Sequence, residues 1–406
     1  MMRIFARGSP GGSAPQSSEN LRVLYGSVSA VEIHCRPFIS SPTASIKSWA
    51  AREARCVQVR RKGVTMAPIV NRQWCLAGRP AGLAMAPHFE WKEVPVPQPG
   101  PGEALVQNKL LSLDPTNRLW MWERDTYLPA QPLGEVMRGI CVGTVVESNN
   151  PSLRIGTPLY GIFGWQDYAI VRPNDLMAPL PDDPSIPLSM HLGLFGHIGM
   201  TAYFGLLDVA KPQSGETVVV SAAAGAVGSL AGQIGKIVGC RVVGIAGSDE
   251  KCRWITQELG FDAAINYRNE TAFVDALARA CPNGIDVYFD NVGGHALEAA
   301  LDLLNLKARI TVCGMISGYN SADSHGHVAA GPRNLMQLVV KRARMEGFLV
   351  LDYWDRAAEA IGALAKWYQE GRIKYRVHEV DGLKNAPAAM NQLFDGTHHG
   401  KLLVKI

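Results

Sequence analysis

The chain has 406 residues, 47% hydrophobic and 19% charged, with a formal net charge of +4. That length leaves room for two domains, because single cores stop growing near about 250–300 residues. No apolar run reaches the roughly 18 residues of a membrane span, and beyond the N-terminal segment the charges nearly balance, so neither a membrane nor a nucleic acid is called for.

Residues 1–65 carry most of the positive excess. Arg3, Arg7, Arg22, Arg36, Lys47, Arg52, Arg55, Arg60, Arg61 and Lys62 face only Glu19, Glu32 and Glu53. The opening "MMRIFARGSPGGSAPQSSEN" is rich in Gly, Ser and Pro, a composition that cannot build a core. Three readings stand: an organelle transit segment, a disordered tail, or translation from Met66. A chain starting at Met66 is expected to fold by itself. Eight cysteines are scattered without a C-x-x-C pair, which argues against structural zinc and for reduced thiols in the cytosol.

From Met66 the chain reads as a GroES-like, β-rich, partly open barrel over 66–188. "HFEWKEVPVPQPGPG" is Pro-rich punctuation. "EALVQNKLLSL", "GICVGTVVES" and "DYAIVRP" are strands, with Gly143, Gly156, Gly161 and Gly164 assigned to turns and bends. "LSMHLGLFGHIGMTAYFGLLDVA" is a helical stretch interrupted by glycines.

Strands and helices then alternate over 189–351. The strands are "TVVVSA", "RVVGIAG", "AAINY", "IDVYFDNVG", "ARITVCG" and, closing the series, "GFLVLD". Between them lie Val227 to Val238, "DEKCRWITQEL", "TAFVDALARAC" and "HALEAALDLL" as helices. Val/Ile runs without polar alternation suit a parallel sheet covered on both faces, so the expected fold is α/β with a doubly wound Rossmann sheet. "AAEAIGALAKWYQEGRI" reads as a helix, and "KLLVKI" as a strand returning to the first domain, which 352–406 would complete.

The first strand of the series runs into "SAAAGAVGS". In G-x-G-x-x-G terms Ala223 replaces the first glycine, Gly225 allows backbone to approach a pyrophosphate, and Gly228 lets the helix pack on the strand. The helix N-terminus over Ala226 and Val227 adds unpaired N–H groups for phosphate. Tight packing alone would also use small residues here. An NAD site places an acid at the end of the second strand; this chain has Gly247 and Ser248 there, with Ser248 a helix cap and Asp249 and Glu250 first-turn acids. Lys251 and Tyr267 supply a cation and a hydroxyl suited to a 2′-phosphate, although Lys251 also reads as a solvated helix lysine.

"LSLDPTNR", "GMTAYFGLL", "AAAGAVGS", "GSDEK", "FDNVGG", "CGMISGYN" and "RMEGFLV" together resemble the zinc-independent medium-chain dehydrogenase/reductases. The likeness is greatest to the branch of leukotriene B4 12-hydroxydehydrogenase/prostaglandin reductase and curcumin reductase. It implies a homodimeric enzyme that needs no metal and uses NADPH to reduce the C=C bond of α,β-unsaturated ketones or aldehydes. The cysteines make the expected location cytoplasmic, or an organelle if residues 1–65 are a transit segment. An NADPH quinone oxidoreductase and a non-catalytic NADPH-binding protein are the alternatives. The resemblance also implies cofactor contacts at Gly225 to Gly228, Lys251, Tyr267, Asn291, Cys313, Gly314, Ser317, Tyr319, Phe348 and Val350. For Phe348 and Val350, strand core is an equal reading.

Two departures matter. Much of the family carries Tyr where Thr116 follows Pro115, so that phenol's role is lost. His398 stands where Asn is common; His398 and His399 suggest a metal pair, but a solvated turn is the simpler reading. Hydride addition to the β-carbon leaves an enolate oxygen to be stabilised. Tyr319, a neutral phenol, is the candidate donor, either directly or through a ribose hydroxyl; the competing role is to orient the cofactor.

Overall fold

The structure is a computed structural model that describes residues 70–406, except 173, 174, 176, 182, 270–271 and 321–330. Residues 1–69, and with them every expectation for the N-terminal segment and Met66, lie outside the described residues.

Strand β1 (Val70–Leu76), given no reading from sequence, pairs antiparallel with β2 (Phe89–Pro95), which lies within the stretch read as punctuation. Strand β3 (Ala104–Ser112) follows, then the short helix α1 (Thr116–Leu119) and the strands β4 (Ile140–Ser148), β5 (Pro158–Ile162), β6 (Tyr168–Val171) and β7 (Met177–Pro179). Gly156 and Gly164 do make turns, with φ of +90° and +80°. Gly143 and Gly161 instead lie inside β4 and β5. At Gly143 a Cβ would sit 2.6 Å from the carbonyl oxygen of Gln107, so close strand approach, and not a bend, selects glycine there.

Helices α2 (Leu188–His191) and α3 (His197–Phe204) lead into a π-helical turn over Gly205–Ala210. The βα series then runs β8 (Thr217–Val220), α4 (Ala226–Val238), β9 (Arg241–Ala246), α5 (Asp249–Gln257), β10 (Ala263–Asn266), α6 (Phe273–Ala280), β11 (Ile285–Asp290), α7 (Gly294–Asp302) and β12 (Leu304–Val312). The turn α8 (Ile316–Tyr319), helix α9 (Met336–Lys341) and strand β13 (Arg344–Gly347) complete it. The six strands are all parallel, in the order β10-β9-β8-β11-β12-β13, which is the Rossmann arrangement.

Strand β8 shows why the run TVVV works. Val218 and Val220 enter the core beneath α4, Val219 enters the one beneath α6 and α7, and all three are fully buried. Side chains alternate across a strand, so a sheet covered on both faces needs apolar residues at every position.

The sixth strand is "RMEG", not "GFLVLD". All four of its residues are exposed, so this edge strand carries no hydrophobic signature. Phe348 follows it and Val350 opens a 3₁₀ segment, Val350–Arg356. Helix α10 (Ala357–Gln369), strand β14 (Val377–Asp381), helix α11 (Ala386–Asp395) and strand β15 (Lys401–Lys405) end the chain. Strand β15 pairs antiparallel with β3, Leu403 opposite Ser112, so the C-terminus does rejoin the β-rich sheet. That sheet has seven strands, β14-β15-β3-β4-β5-β7 with β6 beside β3, packed around Leu76, Leu111, Trp165 and Leu402. No helix among the described residues is long and apolar enough to cross a membrane.

Candidate active site

The glycine turn lies at the carboxyl end of β8. Gly225 caps α4 without any side-chain bond, which leaves first-turn N–H groups available. A Cβ at Gly228 would sit 2.3 Å from the carbonyl oxygen of Ala222, so no larger residue fits without moving the turn. Ala222 itself holds φ of +48°, a left-handed conformation costing an L-residue about 1–2 kcal/mol. Ala226 and Val227, just inside the helix, are half-buried against the core. The chain's far end closes over this turn: Gly400 bridges Gly225, and its N–H reaches the Ala224 carbonyl at 3.3 Å.

Lys251 and Tyr267 converge beyond β9. The Tyr267 ring lies over Gly247, whose added Cβ would meet its hydroxyl at 3.2 Å, and the Arg268 guanidinium stands over that ring at 5.8 Å. Lys251 is not a solvated lysine: it is 7% exposed and its Nζ donates to the Gly396 carbonyl at 2.7 Å. Burial, then Arg268, pulls its pKa down. The neighbouring acids are turned elsewhere. Asp249 accepts from Asn266 at 2.7 Å and from Asn269 at 3.2 Å, while Glu250 lies 3.8 Å from His399. Ser248 caps α5 as expected. A buried ammonium, a guanidinium and a phenol lie here, and although Asp395 and Glu250 act on Lys251 from a distance, burial and Arg268 keep its pKa lowered; the donor set suits a phosphate.

His398 and His399 are half-buried rather than solvated, which corrects the expectation from sequence. His398 Nδ1 bonds the Gln392 carbonyl at 2.8 Å, and burial pushes its pKa down to about 4. No group of three His, Cys, Asp or Glu side chains placed to hold a metal occurs among the described residues.

At the end of β11, Asp290 organises the next loop. Its Oδ1 accepts from Ser221 at 2.9 Å and from the N–H groups of Val292 and Gly293 at 3.0 Å. Asn291 is drawn to the same serine: its N–H meets Ser221 Oγ at 2.8 Å and its amide donates to the Ser221 carbonyl at 2.7 Å. Neither Ser221 nor Asp290 was singled out from sequence, although Ser after a Val run and Asp at a strand end were the available signals.

The loop after β12 docks on this frame. The N–H groups of Cys313 and Gly314 bond the Asp290 carbonyl at 2.8 and 3.1 Å. Burial raises the Cys313 thiol to about 12, so it stays protonated. Ser317 Oγ donates to the Val292 carbonyl at 2.6 Å, which ties it to structure. Tyr319 folds back over Gly314, and its hydroxyl oxygen accepts the Met315 N–H at 3.1 Å. Among the described residues no acceptor takes its own proton, which is left to donate. Burial lifts the phenol's pKa to about 12. Trp122, from the β-rich part, meets the Tyr319 ring edge-on at 6.3 Å, so both sheets contribute to the site.

Phe348 and Val350 direct their side chains away from these groups. The Phe348 ring fills the space above Gly205 and meets Tyr353 edge-on, and Val350 packs on the cluster of Met200, Phe204 and Ala360. Their packing role therefore stands, but beyond the strand and not within it.

In the "DPTNR" turn, Thr116 hydrogen-bonds the hydroxyl of Tyr127, a phenol eleven residues downstream. Asp114 is buried with Lys401 at 2.7 Å and His197 at 3.4 Å. Burial alone would drive Asp114 up, but Lys401 and then His197 outweigh it and hold the carboxyl well below the usual range.

Two family models match the chain: an N-terminal domain of oxidoreductase over residues 72–178, and a zinc-binding dehydrogenase domain over residues 226–366. The NADPH-dependent curcumin reductase of Escherichia coli is 44% identical over 341 residues, covering 83% of this chain and 97% of the reductase. The NADP-dependent 2-alkenal reductase of Nicotiana tabacum is 39% identical, covering 83% and 98%. The crystal structure of CurA from Vibrio vulnificus in complex with NADPH superposes with a TM-score of 0.77 at 42% identity, covering 82% of this chain and 98% of that one.

Proposed function

The chain belongs to the zinc-independent medium-chain dehydrogenase/reductases, and from that premise we propose that it is an NADPH-dependent reductase of the C=C bond of α,β-unsaturated ketones and aldehydes. Gly225 to Gly228 would receive the pyrophosphate, and Lys251, Tyr267 and Arg268 the 2′-phosphate. NADPH supplies the hydride when bound. Asp290 and Ser221 hold the Asn291 loop in place, so the donors do not have to reorganise during reaction. Trp122, Tyr127 and Thr116 line the substrate side and exclude water from it.

The observation that carries the reading is Tyr319. Its oxygen is fixed by the Met315 N–H, and its proton is kept well past neutral pH. A fixed neutral phenol is suited to donate to a carbonyl oxygen as enolate charge develops. NADPH consumption over a panel of enals, enones, quinones and azodicarboxylates, with product identification, tests this. Saturated ketones and aldehydes as products support it; turnover of quinones alone refutes it.

We carry three further expectations as proposals. The working domains are 66–188 completed by 352–406, and 189–351. A homodimer would join two copies of β13, an edge strand flanked by the exposed Met336, Val339 and Val340; analytical ultracentrifugation reads it. A cytoplasmic location suits the six free cysteines among the described residues and the supply of NADPH.

A further inference from the structure

Arg118, in α1, has no exposed surface. Its Nε donates to the Gly82 carbonyl at 3.2 Å and to Asn320 Oδ1 at 3.1 Å, and its Nη2 to the Pro80 carbonyl at 2.7 Å. Nη1 is buried with no partner. No carboxylate pairs with this guanidinium among the described residues. Burial lowers its pKa only to about 10, so it remains a cation at neutral pH. An interior cation without an acid is costly, and a core that needed only volume would carry Met or Leu.

What the guanidinium provides is a junction. Its planar fork joins the loop at Pro80–Gly82, its own helix, and the residue that follows Tyr319. Helix α8 is four residues long and cannot hold its own shape. Its first residues are tethered, Ile316 N–H to the Asn291 carbonyl at 3.2 Å and Ser317 to Val292. At its other end, next to the phenol, Asn320 is anchored among the described residues by the Arg118–Asn320 bond, which crosses from the β-rich part to the Rossmann sheet.

We infer that Arg118 is a positioning residue: acting through Asn320, it holds the turn that carries Tyr319 so that the phenol meets the substrate carbonyl. This rests on the reading of Tyr319 as the donor. Asn320→Ala removes the acceptor and leaves the buried charge in place. Asn320→Asp keeps the acceptor, and Arg118→Lys keeps the charge but loses the fork. Asn320→Ser serves in the same cycle should the alanine variant fold poorly. The readouts are kcat, KM, NADPH affinity by fluorescence titration, and amide hydrogen exchange over residues 316–320.

Asn320→Ala and Arg118→Lys should each lower kcat about tenfold, since displacement by about 1 Å is expensive in a preorganised site. NADPH affinity should hold within about twofold, and exchange over 316–320 should speed up. Asn320→Asp should restore both. Combined with Tyr319→Phe, the Asn320→Ala loss should shrink to under about twofold, because both changes act on one group. If the two losses multiply while Tyr319→Phe alone is damaging, the positioning role is overturned and Tyr319 stands as donor. If Tyr319→Phe alone leaves kcat unchanged, both fall.

Discussion

Replacing Lys251 with Ala tests the contact proposed to distinguish NADPH from NADH. In the structure its ammonium is almost fully buried and bonded to the Gly396 carbonyl at 2.7 Å, so its desolvation is already borne by the fold and water screens it little. A charge-assisted bond to phosphate is worth about 1.5–3 kcal/mol. The Arg268 guanidinium, stacked over Tyr267, would still face the same phosphate, which places the loss in the lower part of that range, about 1.5–2 kcal/mol. At about 1.4 kcal/mol per tenfold, NADPH affinity should fall roughly ten- to thirtyfold. NADH, without the phosphate, should change less than about twofold. Losing the partner of the Gly396 carbonyl should also cost about 1 kcal/mol of stability, visible in the Tm without cofactor. Fluorescence titration with both cofactors at fixed salt gives the two dissociation constants. An equal loss for NADPH and NADH refutes the assignment of Lys251 to the 2′-phosphate.

Tyr319→Phe should lower kcat by roughly ten- to a hundredfold with NADPH affinity nearly unchanged; a rise in the cofactor's dissociation constant at constant kcat would make Tyr319 an orienting residue instead. Because burial raises this phenol to about 12, its neutral donor form persists upward in pH, and kcat in the wild type should show no loss from Tyr319 ionisation through pH 10. Asp114→Asn strands the fully buried Lys401 and should destabilise by about 3–5 kcal/mol in denaturant unfolding, with much of that recovered by adding Lys401→Met. Gly228→Ala places a methyl against the Ala222 carbonyl and should weaken both NADPH and NADH, since the pyrophosphate turn is common to them; unchanged binding of either would show that the turn can yield.

What the sequence disclosed and what it hid follow from the range of the forces involved. The Rossmann strands were legible because a doubly covered sheet demands consecutive apolar residues, as in Val218 to Val220. The glycine turn was legible because close approach at Gly228 excludes side chains. Strand β13 was not, since an exposed edge places no demand on Arg344 to Gly347, while the apolar "FLVL" beside it packs outside any strand. Strand β14 was missed for the same reason: Val377–Asp381 is a polar edge strand held by pairing to β15. The candidate site was half legible. Lys251, Tyr267 and Asn291 could be placed by their distance along β–α units, whereas Arg268 over Tyr267, Tyr127 on Thr116 and Arg118 on Asn320 depend on contacts that no local pattern encodes. The closing of the C-terminal turn over Gly225 likewise joins residues 175 positions apart.

Pairing separates the cations that build this fold from those proposed to serve its site. Lys401 is buried against Asp114 at 2.7 Å, and Arg309 holds Glu216 at 2.6 Å; each charge is answered by an acid, and each couple locks strands or helix ends together. Lys251 and Arg118 are as deeply buried, yet carbonyl and amide oxygens are their partners. At Lys251 a directly bonded carboxylate would neutralise the cation and repel an anion arriving beside it. A carbonyl dipole holds the group in position while leaving its net charge uncancelled. On the proposed reading, the charge at Lys251 meets a phosphate only when cofactor is bound. At Arg118 the group holds, through Asn320, the turn that bears the phenol proposed as donor. The fold thus bears the cost of two cations without a directly bonded acid, and on the reading proposed above that cost is offset when cofactor and substrate bring their own negative charge.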